Sequence, residues 1–462
     1  MPVMFTWDVL PTVTGGEWLA LPVGGSGAVA VLDESTGAGP GSLFVAIGKG
    51  HQYLDQVVSK GVAAVCVDRL PSSEQLATWK AAGVGCLRVA ESLAALHALA
   101  AAHRRCCRNL TVVGVTGSCG KTTTKEMLAA VLAPRLGNAV LKTAGNWNNH
   151  FGLPRMLLRL TPEHRVAVLE MGTNHPGEIS VLTALARPDI AVVTNVGQAH
   201  LEHLGSLDGV AREKGCLFEG LPAGGLAVFD AGCAQAEILR QKASGRRILT
   251  FGHGLEADVR GTYLGRRQDG GFGVELFFRA SGTRRVFSWE FAGSHQALNA
   301  AVAALVGAEL GLSADEIVAG LQGCVVPGMR MLRREIAGTT WINDAYNANP
   351  ESMKASLSCL ADAVDIATAA HVLVLGDMLE LGTAQAAAHL DVLRFARRTF
   401  PGAIIIAVGP LMQEAARHCG ELAVADTAAA RPLLELQVKP HRIIFLKASR
   451  GMGLETLMPP EK

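Results

Sequence analysis

The stretch that decides the fold of this chain is Gly114-Val115-Thr116-Gly117-Ser118-Cys119-Gly120-Lys121-Thr122-Thr123. An apolar run rich in β-branched residues at 110–115 leads into it and predicts a strand, and a helix is predicted to begin near Lys121. Glycines let the backbone turn so that successive N–H groups and the helix N-terminus face a polyphosphate. The order of strand, glycine-rich loop and helix therefore predicts a nucleotide site.

Two side chains at the start of this helix have the chemistry that a nucleotide site needs. Lys121 supplies a positive charge for the β- and γ-phosphates of ATP, and the Thr122 hydroxyl can coordinate Mg²⁺. The spacing differs from the usual phosphate loop, because Val115 stands where a glycine is expected. A glycine turn beside a surface lysine is the competing interpretation, and the flanking strand and helix argue against it. We assign to nucleotide binding Thr116, Gly117, Ser118, Cys119, Gly120, Lys121, Thr122 and Thr123.

The rest of the chain divides into blocks around this loop, because 462 residues exceed one compact core. We predict three domains: a small N-terminal α/β domain at 1–109, a central parallel sheet like that of P-loop ATPases at 110–325, and a C-terminal Rossmann-like domain at 326–462. Helices alternate with predicted strands at 42–47, 63–67, 110–115, 166–170, 190–195, 226–229, 340–344, 371–376, 403–408 and 442–446. The expected fold class is therefore α/β.

The composition is that of a folded enzyme without a general affinity for polyanions. Hydrophobic residues make up 49% of the chain and charged residues 18%, and 42 basic residues balance 41 acidic ones to a net charge of +1. This balance gives no attraction to nucleic acid or to an anionic membrane. The ten cysteines include no CxxC pair, and no apolar stretch reaches the roughly 20 residues of a membrane helix. We expect a cytoplasmic protein with reduced thiols.

Three candidate catalytic residues lie beyond predicted strands, where an open α/β sheet places its ligands. Glu170 and His200 each follow a predicted strand, and Lys214 lies in the next helical segment. A carboxylate and a neutral imidazole can both hold a divalent cation beside ATP. Taken singly, each residue has a simpler interpretation as a capping carboxylate, a surface histidine or a solvated lysine. For His203 that simpler interpretation is preferred.

Eight motifs resemble those of the Mur ligases in their order and spacing. Together they span about residues 110–450, and the first block resembles the family more weakly. The motifs are 117–123, Gly145-Asn146-Trp147-Asn148-Asn149, 169–172, 195–200, 293–300, 343–350, 376–382 and Lys447-Ala448-Ser449-Arg450. The resemblance implies an ATP-dependent ligase that forms an amide bond through an acyl phosphate.

Three stretches, at 173–179, 343–350 and 376–382, resemble the branch of the family that adds D-alanyl-D-alanine to UDP-N-acetylmuramoyl-tripeptide. The chain has no Asp-Asn-Pro-Arg motif, which the related branch that adds the third peptide residue carries. The resemblance therefore implies these two small molecules as partners, and we expect a monomer. The alternatives are another Mur-type ligase, a ligase like folylpolyglutamate synthase, and a nucleotide-dependent switch that hydrolyses ATP slowly.

The resemblance also implies a role for each matched residue. The expected catalytic residues are Lys121, Glu170, His200 and Lys214. The expected ligands of two Mg²⁺ ions are Thr122, Glu170, His200 and Lys214, with Lys214 carbamylated so that a cation becomes an anionic ligand. Further contacts to ATP are expected from Asn299, Arg330, Asp344 and Asn347. Substrate contacts are expected from Asn146, Asn148, Asn149, Tyr346, Asn349, Lys447, Ser449 and Arg450.

The first block departs from the family pattern at the expected site for the uridine nucleotide. The family's Thr-Asp-Ser/Thr-Arg motif corresponds here to Leu32-Asp33-Glu34-Ser35-Thr36, which lacks the arginine. The loop that follows is shortened to Lys49-Gly50-His51-Gln52-Tyr53. The resemblance therefore does not predict which residues hold the UDP end of the substrate.

Overall fold

The computed structural model describes residues 4–364 and 370–460. Within these ranges the chain forms three α/β units in sequence order, each built on its own main sheet. We call them the N-terminal unit (5–106), the central unit (111–322) and the C-terminal unit (332–457), after their first and last elements. The segment 326–331, which leads into the first strand of the C-terminal unit, is counted with that unit.

The N-terminal unit is a small sheet with helices packed against it. Its strands are β1 (Phe5–Thr6), β2 (Glu17–Ala20), β3 (Gly27–Ala28), β4 (Ala30–Leu32), β5 (Ser42–Val45), β6 (Ala64–Val67) and β7 (Gly85–Arg88), and its helices are α1 (Val9–Thr14), α2 (Leu54–Ser59), α3 (Ser73–Ala81) and α4 (Ser92–Cys106). The main sheet has the order β2-β7-β6-β5-β4, with β4 to β7 parallel. Strands β5 and β6 are buried along their whole length, as expected of strands that are covered on both faces.

The central unit is built on a large twisted sheet. Its strands are β8 (Thr111–Thr116), β9 (Val140–Lys142), β10 (Val166–Glu170), β11 (Ile190–Val193), β12 (Leu226–Asp230), β13 (Arg247–Gly252), β14 (Val259–Arg266), β15 (Phe272–Phe278) and β16 (Thr283–Trp289). Their order is β16-β15-β14-β13-β12-β11-β8-β10-β9. The strands from β9 to β14 run parallel, and β15 and β16 add an antiparallel hairpin at the edge. Strand β8 lies between β10 and β11, so the phosphate loop leaves the interior of the sheet.

Helices cover both faces of the central sheet. They are α5 (Lys121–Leu136), α6 (Gly152–Leu157), α7 (Glu178–Ala186), α8 (Leu201–Leu204), α9 (Leu207–Glu219), α10 (Ala236–Lys242), α11 (Ser294–Glu309) and α12 (Ala314–Gln322). Val112 belongs to a core shared with α6, α7 and α9, whereas Val113 belongs to the core on the face of α5, α11 and α12. This alternation along β8 explains why the strand is apolar throughout. The first core continues into the N-terminal unit through α4.

The C-terminal unit is a second doubly wound sheet. Its strands are β17 (Leu332–Ile336), β18 (Thr339–Asn343), β19 (Ala370–Gly376), β20 (Ile404–Val408), β21 (Leu422–Val424) and β22 (Arg442–Lys447), and its helices are α13 (Pro350–Ala363), α14 (Gln385–Thr399), α15 (Pro410–Arg417) and α16 (Thr427–Glu435). The order is β17-β18-β22-β19-β20-β21, and only the pairing of β17 with β18 is antiparallel among these described strands. The carboxyl ends of β18 and β22 therefore lie side by side.

The predicted α/β fold is confirmed, and each predicted strand is present with ends shifted by at most two residues. The sequence reading missed the hairpin of β15 and β16 and the strands β13 and β14. Strand β16 has no buried residue before Phe287, and its exposed side chains include Arg284 and Val286. It therefore lacks the continuous apolar run by which the buried parallel strands were recognised. None of the helices in the described part of the chain has the length and apolar character to span a bilayer.

The contact between α12 and the phosphate-loop helix α5 depends on a glycine. A Cβ atom added at Gly320 would lie 2.5 Å from the Cα atom of Val131 and 2.8 Å from the carbonyl oxygen of Ala130. These are backbone atoms that cannot rotate away. We expect Gly320→Ala to lower the free energy of unfolding by about 1–3 kcal/mol, which thermal unfolding would report as a reduced Tm.

The matched control for this substitution is Gly323→Ala, one turn further along the chain. There the nearest atom to an added Cβ is the Ala319 carbonyl oxygen at 3.6 Å, so the substitution has room. Equal Tm values for the two variants would contradict the proposed role of Gly320 in helix packing.

Candidate active site

The phosphate loop (117–120) is held in place by residues that follow the neighbouring strand β11. The N–H of Ser118 donates to the Asn195 carbonyl at 3.1 Å, and the N–H of Cys119 donates to the Asn195 Oδ1 at 2.7 Å. The Thr194 hydroxyl donates to the Cys119 carbonyl at 2.5 Å. The loop is therefore fixed at the carboxyl end of the sheet before any ligand binds, where open α/β sheets bind theirs.

Two glycines of the loop are required by close approaches. Gly117 has φ +153°, and a Cβ atom there would lie 1.9 Å from the Thr194 Oγ1. Gly120, with φ +80°, precedes the first residue of α5, and a Cβ atom there would lie 2.6 Å from the Asn299 Oδ1. Both positions combine a backbone angle that favours glycine with a lack of space. The turn into α5 leaves the helix N-terminus open to an anion.

Lys121 is the first residue of α5 and folds back over the loop. Its Nζ donates to the Gly117 carbonyl at 2.6 Å. Burial lowers the pKa of Lys121, and the negative charge of Glu170 opposes that shift. An ammonium group that has lost much of its hydration and lies beside a helix N-terminus favours a polyphosphate as its partner.

Glu170 is the carboxylate on which several parts of the site converge. It ends β10 and is only 3% exposed. Its Oε2 accepts a hydrogen bond from the Thr122 hydroxyl at 2.8 Å, and its Oε1 accepts one from the Asn148 amide at 2.7 Å. From the C-terminal unit, the Nη2 of Arg330 donates to the same Thr122 hydroxyl at 2.9 Å. Residues from two units therefore meet at Thr122.

Lys214 is a buried lysine on α9 with 1% exposure. Burial lowers its pKa to about 7, and the positive charge of Lys121 adds to this effect. Across 4–364 and 370–460, its ammonium group makes no hydrogen bond or ion pair. Its neighbour Glu213 accepts hydrogen bonds from the N–H groups of Gly177 and Ile179 at 2.8 and 2.9 Å, which fixes the rotation of the helix. At neutral pH a substantial share of the Lys214 amine is neutral and nucleophilic.

His200 lies at a strained position between the central and C-terminal units. Its φ is +56°, an angle that few residues other than glycine adopt. Its Nδ1 lies 2.5 Å from the Oε2 of Glu380, which also has a positive φ of +65°. Burial lowers the pKa of His200, so the imidazole is neutral at physiological pH. An Nδ1–H donated to the carboxylate leaves the Nε2 lone pair for a metal ion.

These groups form one electrostatic cluster. Burial is the main cause that lowers the pKa of His200, and the positive charges of Lys121 and Lys214 lower it further. The charge of Arg330 likewise adds to the effect of burial on the pKa of Lys121. The cluster therefore combines the cationic groups of Lys121, Lys214 and Arg330 with the carboxylates of Glu170 and Glu380. Such an arrangement is suited to anionic ligands with several charges.

The donor set at Glu170 fits magnesium. Within the described ranges, no group of three or more His, Cys, Asp or Glu side chains is placed to hold a metal ion by itself. Magnesium commonly binds through one or two protein oxygens and completes its shell with water and substrate phosphates. The Glu170 carboxylate and the Thr122 hydroxyl, 2.8 Å apart beside the phosphate loop, provide such a partial shell, and the His200 imidazole lies in the same electrostatic cluster.

The N-terminus of α13 in the C-terminal unit contacts the phosphate loop directly. The Asn349 side chain caps this helix by accepting from the Ser352 N–H at 2.8 Å, and its Nδ2 lies 3.1 Å from the Cys119 Sγ. Glu351 accepts a hydrogen bond from the Gln198 N–H at 3.0 Å. These contacts close the crevice between the two units over the loop.

Of the predicted nucleotide contacts in the C-terminal half, Asp344 is the most constrained. Its carboxylate is buried and accepts from the Lys447 Nζ at 2.5 Å and from the Ser356 hydroxyl at 2.6 Å. Asn347 is exposed. Asn299, on α11, donates to the Gln296 Oε1 at 3.1 Å and lies against Gly120.

The predicted substrate contacts differ in how far they are already engaged. Lys447 and Ser449 are buried, and Ser449 accepts from the Leu379 N–H at 2.9 Å. Arg450 pairs with Glu455 at 3.2 Å. The Tyr346 ring lies 4.0 Å below the guanidinium of Arg330.

In the central unit, Asn146 and Asn149 are exposed. Asn149 also accepts a hydrogen bond from the Gly152 N–H at 2.9 Å, at the start of α6. Asn148, bonded to Glu170, is the one of the three asparagines that joins the charged cluster in the described structure.

The sequence reading missed three residues that the structure places at the site or its borders. Glu380, the partner of His200, lies inside the motif 376–382, so its position was signalled although its role was not. Glu351 follows the motif 343–350. Arg155, a half-buried arginine in the otherwise apolar helix α6, contacts Asp33 of the N-terminal unit, and no motif marked it.

Comparisons with known proteins give a consistent result. The family models described as Mur ligase middle domain and as Mur ligase, glutamate ligase domain match residues 115–307 and 329–450. UDP-N-acetylmuramoyl-tripeptide--D-alanyl-D-alanine ligase of Bacillus subtilis is 35% identical over 427 residues, covering 88% of this chain and 87% of the relative.

Two solved structures illustrate the similarity in three dimensions. MurF from Acinetobacter baumannii has a TM-score of 0.88 and 32% identity, with 98% of each chain covered. The MurF ligase from Thermotoga maritima, solved in complex with ADP, has a TM-score of 0.78 and 26% identity, with 93% of this chain and 96% of that chain covered.

The buried amine of Lys214 predicts a pH dependence of stability. Its pKa is about 7 in the folded chain and about 10.4 when unfolded, so the unfolded state binds more protons between these values. The cost of burying a charged amine is therefore complete below pH 7 and shrinks as the pH rises. In metal-free, CO₂-depleted buffer, we expect Lys214→Met to be more stable than the parent at pH 7. This advantage should shrink steadily between pH 7 and pH 9 and disappear only above about pH 10.4.

Urea unfolding at several pH values measures this difference. Lys242→Met is the control, because the ion pair of Lys242 with Glu219 at 2.9 Å raises the pKa of that lysine. The difference in stability between Lys242→Met and the parent is not expected to change between pH 7 and pH 9. A difference between Lys214→Met and the parent that stays constant from pH 7 to 9 would rule out a buried amine with a depressed pKa.

Proposed function

The chain belongs to the Mur ligase family, and we propose that it joins D-alanyl-D-alanine to UDP-N-acetylmuramoyl-tripeptide with hydrolysis of ATP to ADP and phosphate. The name of the relative in Bacillus subtilis supports this substrate pair. The ADP bound to the Thermotoga maritima relative supports ATP as the phosphate donor. The product is an amide that extends a precursor of peptidoglycan.

One observation carries the proposal: Thr122, in the first turn of α5 after the phosphate loop, is bonded both to Glu170 and to Arg330. The hydroxyl lies 2.8 Å from the Glu170 carboxylate and 2.9 Å from the Arg330 guanidinium. A nucleotide site, an acidic group at a strand end and a cation from the C-terminal unit thus converge on one atom. A slow nucleotide switch does not need a second unit that closes over the γ-phosphate, whereas a ligase that protects an acyl phosphate from water does.

The proposed reaction has two steps. An oxygen of the tripeptide carboxylate attacks the γ-phosphorus, the bond to the ADP oxygen breaks, and an acyl phosphate forms. The amine of D-alanyl-D-alanine then attacks the acyl carbon, phosphate leaves, and the amine proton is lost to solvent or to a nearby base. Lys121 and Arg330 offset the negative charge that develops on the transferred phosphoryl group.

Two Mg²⁺ ions are part of the proposal. Thr122, Glu170, His200 and Lys214 would hold them, with Lys214 as its carbamate. The depressed pKa of Lys214 supports carbamylation, because only the neutral amine reacts with CO₂. Bound magnesium supplies positive charge that polarises the phosphoryl oxygens. The hydrogen bond between Thr122 and Glu170 at 2.8 Å holds these two oxygen ligands in place before a metal ion binds.

We further propose a division of labour among three domains, 1–109, 110–325 and 326–462. The first holds the UDP end of the substrate. The second holds ATP through 116–123 and the peptide end through Asn146, Asn148 and Asn149. The third completes the ATP site with Arg330, Asp344 and Asn347, opposite Asn299, and faces the substrates with Tyr346, Asn349, Lys447, Ser449 and Arg450. We propose that the enzyme acts as a cytoplasmic monomer.

The proposed reaction is tested by phosphate release from ATP, with UDP-N-acetylmuramoyl-tripeptide present and D-alanyl-D-alanine present or absent. We expect release to require both substrates and the product mass to increase by one dipeptide less water. Release that does not depend on the dipeptide would leave an ATPase with a different acceptor. A panel of acceptor amino acids and a folate acceptor would then identify another Mur-type or folylpolyglutamate synthase-like ligase.

Lys121→Ala is expected to lower kcat by at least about 100-fold, because it removes a charge that stabilises the transferred phosphoryl group. Arg135→Ala is the matched control at the other end of the same helix, where Arg135 pairs with Glu316 on the surface at 2.9 Å. Both variants are compared in the phosphate-release assay after their folding is checked by circular dichroism. Ligase activity of Lys121→Ala near that of the control would exclude the assigned role.

A further inference from the structure

A cavity of about 480 Å³ lies where the N-terminal unit meets the central unit. Cavities of this size hold small molecules or parts of larger ones. The residues that decide its chemistry are two carboxylates, one guanidinium and three aromatic rings: Asp33, Glu34, Arg155, Phe44, Tyr53 and Phe151. The cavity contains parts of the stretches 32–36 and 49–53, at which the sequence departs from the family pattern.

Arg155 crosses from the central unit to bind the N-terminal unit. Its Nε donates to the Asp33 Oδ1 at 2.8 Å and its Nη2 donates to the Asp33 Oδ2 at 2.8 Å, so the two side chains form a bidentate ion pair. Its Nη1 also donates to the Glu34 carboxylate. The Asp33 side chain is only 5% exposed, so the pair is shielded from water on one side. Such paired hydrogen bonds fix orientation as well as distance.

The charge of the lining indicates which end of a UDP-linked substrate fits. Two carboxylates face one guanidinium, so the cavity does not favour the diphosphate. Carboxylate oxygens accept hydrogen bonds from the hydroxyl groups of a ribose and from the imide N–H of uracil. The rings of Tyr53, which is 47% exposed, and of Phe151 offer apolar surface to a base. The neutral nucleoside is therefore the part of the substrate that matches this lining.

From these contacts we propose that Arg155 is a positioning residue for the nucleoside end of the substrate. It holds Asp33 and Glu34 in the orientation that receives the ribose and uracil, in place of the arginine that the stretch 32–36 lacks. This inference rests on the proposed function, from which the uridine nucleotide is taken. The pocket of the N-terminal unit is thus complete only when α6 of the central unit contributes Arg155.

The position of α6 connects this pocket to the reaction centre. The Arg155 guanidinium lies 5.4 Å from the centre of the Trp147 ring. The next residue, Asn148, donates to Glu170 at 2.7 Å, and Asn149 accepts from the first residue of α6 at 2.9 Å. The short segment 147–155 thus carries both the nucleoside contact and the contact to the catalytic carboxylate. A substrate seated by Arg155 is therefore placed relative to Glu170 by the same piece of chain.

The experiment measures the binding of UDP itself by calorimetry and the steady-state kinetics of the full chain. For Arg155→Met we expect UDP to bind about tenfold more weakly, as for the loss of about one charge-assisted hydrogen bond. The KM for the UDP-linked tripeptide should rise by a similar factor, whereas kcat and the KM for ATP stay within about twofold. UDP affinity equal to that of the parent, or a loss of kcat alone, would overturn the proposal.

Arg159→Met is the matched control. The Arg159 guanidinium lies 5.1 Å from the centre of the same Trp147 ring, and this arginine is exposed and makes no ion pair within the described residues. UDP should bind this variant as it binds the parent. An equal loss of UDP affinity in the two variants would assign the effect to Trp147 rather than to the pair with Asp33, and would overturn the proposal.

Asp33→Asn provides a second route if Arg155→Met does not fold. It keeps the shape of the side chain and removes the ion pair, and we expect a similar loss of UDP affinity. The double variant should lose less UDP affinity than the sum of the two single losses, because the two residues share the Arg155–Asp33 contact, and fully additive losses would contradict a shared role. The two proposals fail separately: UDP binding that depends on Arg155, without ligation of D-alanyl-D-alanine, would refute only the assigned reaction.

Discussion

The site depends on a local concentration of positive charge that is largely withdrawn from water at the carboxyl end of the central sheet. Lys121 lies between the charges of Glu170 and Arg330, and Lys214 lies close enough to Lys121 for its pKa to be lowered by that charge. Burial lowers the pKa of both lysines. A chain with a net charge of only +1 has no general attraction for anions, so this concentration of charge is a local construction. It is unfavourable in the absence of ligands, and it becomes favourable when a polyphosphate and its metal ions bind.

The fold makes this arrangement possible by placing the ends of parallel strands at a common edge. Strands β8, β10 and β11 are neighbours, and the phosphate loop, Glu170 and Thr194 each lie at their carboxyl ends. Hydrogen bonds then fix the remaining freedom: Glu213 anchors α9 so that Lys214 stays buried, and Asn195 holds the loop. Stability and function are therefore coupled here, because the same sheet that forms the core sets the distances in the site.

Much of this could be predicted from the sequence, and the limits have physical causes. The strand before Gly117 and the strand that ends at Glu170 were predicted because buried parallel strands form continuous apolar runs. The sequence predicts that Lys121, Thr122 and Glu170 act together. In the structure Thr122 is bonded to Glu170, and the charge of Glu170 acts on Lys121. The pairing of His200 with Glu380 spans 180 residues and depends on how the two units dock. No local pattern encodes such a contact.

Arg155 lies outside every sequence motif, so its role is not predicted from the sequence. It nevertheless contacts the stretch 32–36, which lacks the arginine of the family motif. An arginine that serves a site can be supplied by any element that reaches it, and here α6 lies 122 residues from Asp33 in the chain. The site requires a guanidinium group opposite Asp33. The arginine that supplies it can stand at different positions in the sequence. When a motif lacks a charged residue, a neighbouring unit can therefore supply the missing charge. In this chain Arg155 places part of the proposed nucleoside pocket on the central unit, next to the residues that bind the catalytic carboxylate.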